Sequence, residues 1–449
     1  MDELTQFLAE NKHIRYATPG SSDYAELKTI FVINETRDPA LIVRPRSAED
    51  VAGLVSILTK TNLPFTVRTG GHDMFGRAQV ENGVTIDMRD ISHIHVEEES
   101  QTVRVGGGVI TLDLTRELYK HRRVTPHGNT PSVGYVGWAT HGGYGMLSAH
   151  YGLGVDQIVG ATVVDHRGSI READSGMLTA IRGAGGALGV IVELKVKTYP
   201  LDEILAGMII YDSSDIPNSI RQFNTHYEQA RNQGIAPALS LYQAVVNLPP
   251  GKVFLTLFLW SSADHEEGQK WASKVCSWAP LMQNTVGPTN IADWGDMLSK
   301  LVFPSAYAAM FSPAFYKLTP EVLDVLSEHA PLQPNNPGVL LSSHDLRIEA
   351  PQGSAGSVFT NRFPHFVLEI IPMTTSKEDF PSIKAWGQRL YDALMKTNPA
   401  NILPSAYLPL TPPERSDLKS IYGDRYELFR GLKETYDPEN KFNTAIARI

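Results

Sequence analysis

Leu63-Pro-Phe-Thr-Val-Arg-Thr-Gly-Gly-His-Asp73 decides how the first half of the chain folds. Its opening residues, rich in β-branched and aromatic types, read as a strand, and the paired glycines then release the backbone into a turn. Just upstream, Ala40-Leu-Ile-Val-Arg-Pro45 reads as a short strand. A helix follows, with Ser47 as N-cap and Val51, Leu54, Val55 and Leu58 on one face. Strand, helix, strand makes a βαβ unit. Gly70 and Gly71 expose backbone N–H groups that can form an anion nest, and Arg68 would add charge for a phosphate. Taken alone, a strand ending in Gly-Gly is commonly just a turn, and a loop histidine such as His72 is ordinarily a surface residue.

Working outward, Gly83–Met88 reads as a strand, Ile94–Val96 and Thr102–Val105 as a hairpin, and the region near Leu112–His121 as a helix. Residues 124–155 then contain no Asp, Glu, Lys or Arg, but eight glycines and three histidines, His127, His141 and His150. Gly and Pro break this stretch too often for a membrane helix. So many glycines mean that the backbone turns sharply or that something large comes close to it. Strands resume at Ile158–Val164 and near Ser169, and a short helix at Gly176–Arg182 precedes Gly183-Ala-Gly-Gly-Ala-Leu-Gly189 and the strand Val190–Thr198. A Rossmann fingerprint needs strand, glycine turn, helix; here the order is reversed and the spacing is wrong, so NAD binding of that type is excluded.

Tyr199-Pro200 reads as a boundary. Beyond it come a strand at 206–212, a helix at 216–233, strands at 238–247 and 252–260 joined at Pro249-Pro250-Gly251, and a helix at 264–277. Strands Gly338–Leu341 and His365–Ile371 and a helix at 377–396 continue the pattern, and two short helices follow Ser405. Strands in succession without intervening helices point to an antiparallel sheet covered by helices. At 449 residues the chain exceeds a single core, and two large domains are expected. Net charge is −9, with no Lys/Arg-rich stripe and no apolar run of membrane-span length, so neither nucleic acid nor membrane is an expected partner. The single cysteine, Cys276, excludes an intramolecular disulfide framework, a zinc ribbon and an iron–sulfur cluster. Met1-Asp2-Glu3-Leu4 carries no secretory signal pattern, which gives an expectation of a cytoplasmic protein. P-loop, HExxH, GxSxG and EF-hand motifs are absent.

RTGGHD at 68–73, GNTPSVG at 128–134, THGGYGMLSAHYGLGVDQI at 140–158, LTAIRGAGGALGVIVEL at 178–194 and YDPENKF at 436–442 occur in that order. Together they resemble the berberine-bridge-enzyme-like group of vanillyl-alcohol-oxidase-type, PCMH-type FAD enzymes. The resemblance is strong over about residues 38–200, returns at 403–443 and is weak between. It implies an α+β fold of two domains: an FAD-binding domain of two α/β subdomains at 1–200, a substrate domain of helix-covered antiparallel sheet at 201–402, and a segment at 403–449 returning to the first.

Residue by residue, the resemblance implies a covalent link from His72 to the 8α-methyl carbon of FAD. Arg68, Thr69, Gly70 and Gly71, with Asp73 beyond, would cradle the pyrophosphate. Gly142, Gly143 and Gly145, together with Gly137, Trp138 and Tyr144, would bed the isoalloxazine ring, and Gly189, Val190 and Ile191 would lie along the adenine side. Bicovalent relatives attach flavin a second time through a cysteine where this chain has Thr130, between Gly128 and Gly134, so a single link is expected. Cys276 reads instead as a buried helix residue. Val133 stands at a small gate position that in oxidase relatives admits O2. In the tail, the family's Tyr-x-Asn-Tyr is here Tyr407-Leu-Pro409-Leu410, with both asparagines of the tail motifs lost, leaving Tyr407 as its flavin contact.

Flavin oxidation of a C–H bond needs a base to take a proton from an adjacent O–H or N–H. In Arg362-Phe-Pro-His365-Phe-Val-Leu-Glu369-Ile-Ile371, period-two alternation puts His365, Val367, Glu369 and Ile371 on one face. The resemblance implies that the base sits on a substrate-domain strand facing the ring, which makes Glu369 the candidate base; read alone, it would equally be an edge-strand glutamate pointing to water. Burial among aliphatics would resist its ionisation and bring it toward neutral pH. His365 is an alternative base or substrate-orienting group, with His127 and His141 as further candidates. Tyr242, Tyr307 and Tyr316 are pocket candidates whose default reading is core packing. The expected function is an FAD-dependent oxidase of a small, partly apolar secondary metabolite, reducing O2 to hydrogen peroxide. The alternatives are a non-redox cyclase or isomerase on the same scaffold, and an FAD dehydrogenase that does not use O2.

Overall fold

Ser47 caps the first long helix, its hydroxyl accepting from the Asp50 amide at 3.2 Å. In the computed structural model, which describes residues 2–249, 251–347, 356–404 and 407–444, that helix is Ala48–Lys60. Its stripe of Val51, Leu54, Val55 and Leu58 is buried against the strands Leu41–Arg44 and Phe65–Arg68. Those two strands do not touch. Val84–Asp87 lies between them, parallel to both, and Arg15–Ala17 pairs antiparallel at the outer edge. A second sheet is wholly antiparallel, in the order Ile94–Glu97, Thr102–Gly106, Val190–Lys197, Ile158–Val164, Ile170–Glu172.

The third sheet has eight strands and is antiparallel throughout. Its order runs Leu281–Asn284, Ile204–Tyr211, Gly251–Trp260, Leu239–Leu248, Leu340–Leu346, His365–Ile371, Ala314–Phe315, with Gly287–Thr289 also pairing with Ile204–Tyr211. Alternation divides its faces. Leu239, Leu241 and Val245 enter a core roofed by the helices Ile216–Gln233, His265–Cys276, Pro320–His329 and Phe380–Leu394, whereas Tyr242 and Ala244 face the other way, toward Met146 and Leu147. Phe223 is fully buried in the roofed core, and truncation to Ala would cost about 3–5 kcal/mol.

The tail helix Tyr426–Tyr436 packs beside Ser175–Ala184. Buried Lys433 donates through Nζ to Ala187 O at 2.6 Å, Asp437 Oδ2 at 2.6 Å and Phe442 O at 2.9 Å. Asp437 also accepts from the amides of Lys441 and Phe442, both at 2.9 Å. The YDPENKF block is therefore a knot in which one carboxylate satisfies a buried ammonium and two orphan amides. Phe442 meets Phe65 edge-on, with ring centroids 5.8 Å apart.

Several elements differ from expectation. The uncharged stretch is no featureless loop but contains the short helices Tyr135–Thr140, Ser148–Tyr151 and Gly154–Gln157. Tyr199–Pro200 is itself a short strand, paired with Arg123–Val124. Between the strand Gly251–Trp260 and the base strand, Ile291–Ser299 and Pro320–His329 are helices that the sequence reading left out, and Asp2–Glu10 adds a helix at the start. The strand expected at Gly338–Leu341 runs from Leu340 to Leu346. Cys276 ends its helix and is half-buried rather than buried. Pro250 and Ser405 lie outside the described residues.

Candidate active site

Thr69–Asp73 leave the strand Phe65–Arg68 and enter a cavity of about 520 Å³. The opposing backbone comes from residues 128–138. A Cβ built on Gly70 would stand 2.5 Å from Gly134 N, and one on Gly134 would stand 2.4 Å from Thr69 Cγ2, so the two loops touch main chain to main chain. Gly71 turns with φ +73°, a conformation that L side chains rarely adopt. The amides of Gly70, Gly71 and His72 donate to no described residue, which leaves three N–H groups beside the cavity. His72 stacks on Phe31 with centroids 4.5 Å apart, and burial pushes its imidazole down to about 4, so it is neutral at pH 7.

The charge beside this loop is not the expected one. Arg68 backs onto the cavity, but its guanidinium turns into the core, donating through Nη2 to Asp87 Oδ2 at 2.7 Å and to Leu27 O. Asp87 also accepts from Arg44 and Arg89, and these cations hold its carboxyl far below the ordinary range against the opposing effect of burial. Arg68 therefore does not supply the phosphate charge expected of it; a basic residue closing a buried strand serves its own ion cluster. Arg77, which the sequence reading passed over, lines the cavity, with Nε 2.8 Å from Asp73 Oδ2.

On the far wall, the strands Leu239–Leu248, Leu340–Leu346 and His365–Ile371 bring Tyr242, His344 and Glu369 together. Tyr242 and Ser342 donate their hydroxyls to Glu369 Oε2 at 3.3 Å each, and His344 Nε2 lies 3.1 Å from the same oxygen. Register explains the cluster, because Ser342 lies opposite Glu369 and His344 opposite Tyr242. Burial alone would raise the Glu369 pKa. The imidazole and the two hydroxyls outweigh it and hold the carboxyl below its ordinary value, reversing the expected upward shift.

Thr69, Gly70, Gly71, His72, Asp73, Thr130, Val133, Gly134, Gly137, Trp138, Tyr144, Gly189, Val190, Ile191, Glu369 and Tyr407 all line this one cavity, as does His141. Four expected residues do not. Gly142 makes room for the Phe359 and Tyr407 rings, 2.6 and 2.9 Å from its virtual Cβ; Gly143 for Gly154; Gly145 for the His127 carbonyl at 2.0 Å. These glycines serve protein packing rather than a ligand. His365 lies in a neighbouring cavity. Of the other candidates, His127 does not line the cavity and its Nδ1 faces Gly128 O at 2.9 Å; Tyr307 packs on Phe380 and Tyr316 near Phe363. Sequence reading missed His344 and Ser342, which no local motif marks, and Leu408–Leu410 and Phe442, which close the cavity from the tail.

The cavity thus runs from a glycine nest with free amides, past the apolar side chains of Val133, Val136 and Ile191, to the Glu369 carboxylate. An elongated ligand with a negatively charged middle and a flat ring system fits it, since the amides suit a pyrophosphate and the apolar walls a ring. Among the described residues there is no cluster able to hold a metal ion and no helix long and apolar enough to cross a membrane.

Comparison with known proteins agrees with this geometry. The FAD binding domain family matches residues 39–174, and the fold is the berberine-bridge-like, PCMH-type fold of FAD enzymes. Among its relatives is the FAD-linked oxidoreductase aurO of Gibberella zeae, 29% identical over 99% of this chain and 88% of that protein. Among solved structures, 6-hydroxy-D-nicotine oxidase from Arthrobacter nicotinovorans superimposes with a TM-score of 0.86 at 22% identity, covering 96% of each chain. Berberine bridge enzyme from Eschscholzia californica gives 0.84 at 18% identity, over 98% of this chain and 97% of that one.

Proposed function

We propose that this protein is an FAD-dependent oxidase of a small, largely apolar organic molecule, with its cofactor joined covalently through His72 alone. The observation that carries the reading is the placement of Glu369 on the wall of the same cavity as the His72 loop. Bound FAD would supply the two-electron acceptor, with O2 as the final oxidant and hydrogen peroxide as its product. Residues 1–200 and the tail would hold the cofactor, and residues 201–402 would present the substrate.

The chain's own part is to bind and to move a proton. Glu369, ionised at neutral pH, takes the proton from a substrate O–H or N–H while the adjacent carbon loses hydrogen with both bonding electrons. Tyr242, Ser342 and His344 all engage Oε2, which fixes the carboxylate plane and leaves Oε1 for the substrate. Leu340, Met310, Ile371 and Met373 exclude water around it. Neutral His72, held flat by Phe31, has a free lone pair for the link. Thr130, with a hydroxyl where a second link would need a thiolate, supports one attachment only.

Acid precipitation tests the reading. Yellow colour should stay in the pellet of the wild type and appear in the supernatant of His72→Ala. Colour released from the wild type removes the covalent link, and a colourless protein removes the cofactor assignment.

A further inference from the structure

A second cavity, of about 190 Å³, lies beside the first and is lined from the tail by residues 402–404, 407 and 410–412. Both open on one face of the base strand. His365 and Glu369 share one face, four residues or about 13 Å apart, with Val367 between them. Tyr144 and Tyr407, with ring centroids 4.1 Å apart, line both cavities and pack over Val367. Glu369 therefore opens into the large cavity and His365 into the small one.

Two buried polar groups face the small cavity with unmet capacity. Asn361 is 7% exposed, and its Oδ1 has no hydrogen-bond partner among the described residues. His365 is 1% exposed, and its Nδ1 lies 2.7 Å from Phe363 O. A carbonyl only accepts, so Nδ1 carries the proton and Nε2 presents a lone pair. Burial lowers the His365 pKa, which keeps the ring neutral and Nε2 an acceptor. The unmet buried acceptor on Asn361 costs about 1–3 kcal/mol, and together with the lone pair of His365 Nε2 on the same cavity it suits a ligand that donates.

The remaining walls specify the rest of that ligand. Phe311, Tyr391 and Tyr407 supply aromatic surface, and a cavity of about 150 Å³ already admits a benzene ring. Among the described residues no carboxylate lines this cavity and one cation does, Arg415, whose guanidinium lies over the Tyr391 ring at 4.9 Å. A cationic ligand would lack a counter-charge. We propose that this cavity is a separate binding site for a neutral, single-ring aromatic molecule bearing an O–H or N–H donor, a phenol or an arylamine. Asn361 Oδ1 and His365 Nε2 accept from it. Because Tyr144 and Tyr407 wall both cavities, an occupant here bears on the ring pair that borders Glu369.

Anaerobic calorimetric titration of the holoenzyme with 4-methylphenol and 4-methylanisole tests this, the two probes differing in the donor. The phenol should bind saturably and at least tenfold more tightly than the anisole. Asn361→Leu and His365→Leu should each weaken it tenfold or more, about 1.4 kcal/mol, while Glu369→Gln leaves its affinity within twofold. Ala314→Leu, which fills the cavity and spares both acceptors, should abolish binding too and serves if either polar variant fails to fold. Absence of saturable binding to wild type, equal affinity for both probes, or loss in Glu369→Gln with retention in the Asn361 and His365 variants overturns the site.

Discussion

Asp73 and Arg77 join the loop of His72 to the tail. Arg77 Nε donates to Asp73 Oδ2 at 2.8 Å, while its two terminal nitrogens each reach the Leu408 carbonyl at 3.3 Å. Asp73 meanwhile accepts from the amides of Phe75 and Arg77 at 3.0 and 2.8 Å. One guanidinium thus spans the cavity's lip, fixing the segment after His72 against the segment after Tyr407.

Replacing Arg77 by Met removes these charge-assisted bonds and leaves Asp73 with its amides. The variant should lose about 1.5–3 kcal/mol of stability and incorporate less FAD. Urea denaturation and the ratio of flavin to protein absorbance report both, and an unchanged midpoint with full flavin content would show the bridge to be idle.

The Glu369 cluster makes a directional claim about pH. Removing the imidazole in His344→Ala leaves burial less opposed, so the carboxyl pKa should rise and the acid limb of the kcat/KM profile move to higher pH. Glu369→Gln should lower kcat by about 10²–10⁴ with flavin retained. A His344→Ala profile superimposable on wild type would deny His344 its positioning role.

Buried histidines set a second pH response. Burial lowers the pKa of His127, His141 and His365, while His72 is taken up by the proposed flavin link. The unfolded chain, with imidazoles near 6.5, then binds more protons than the folded one in the window that opens below about pH 6.5. Stability should therefore be full above that window and fall as pH drops through it. Urea midpoints at pH 7.5, 6 and 5 should decline in that order; a flat series contradicts the assignment.

Val133 lines the cavity beside the loop of Thr130. If it forms the oxygen gate, Val133→Leu should slow reoxidation of the reduced enzyme by roughly tenfold, about 1.4 kcal/mol in barrier, with anaerobic reduction by substrate little changed. Stopped-flow mixing with aerated buffer decides, and equal rates would reduce Val133 to packing.

What the sequence revealed followed from local physics. The Ser47 cap and the apolar stripe behind it announced the first βαβ unit, and strand alternation put Glu369 on an inward face. The partners of Glu369 were illegible because Tyr242 and His344 arrive on other strands, by a register that no local pattern encodes. Arg68 misled for a related reason: its counter-charge, Asp87, sits nineteen residues on, across a parallel pairing. Glycines 142, 143 and 145 correctly signalled close approach, but a missing Cβ says only that something is near, and the neighbours proved to be Phe359, Gly154 and a carbonyl.

The knot at Lys433 bears on the order in which the protein matures. Phe442 walls the cavity that receives His72, and its carbonyl is held by Lys433, which grips Ala187 O at the same time. A nascent chain can pair the strands of the first βαβ unit once Asp87 has emerged, yet the chamber stays open on one side until residue 442 has left the ribosome. Cofactor capture is thereby a late event in biogenesis, and a polypeptide cut short before Tyr426 would hold its histidine ready beside a binding site that never closes.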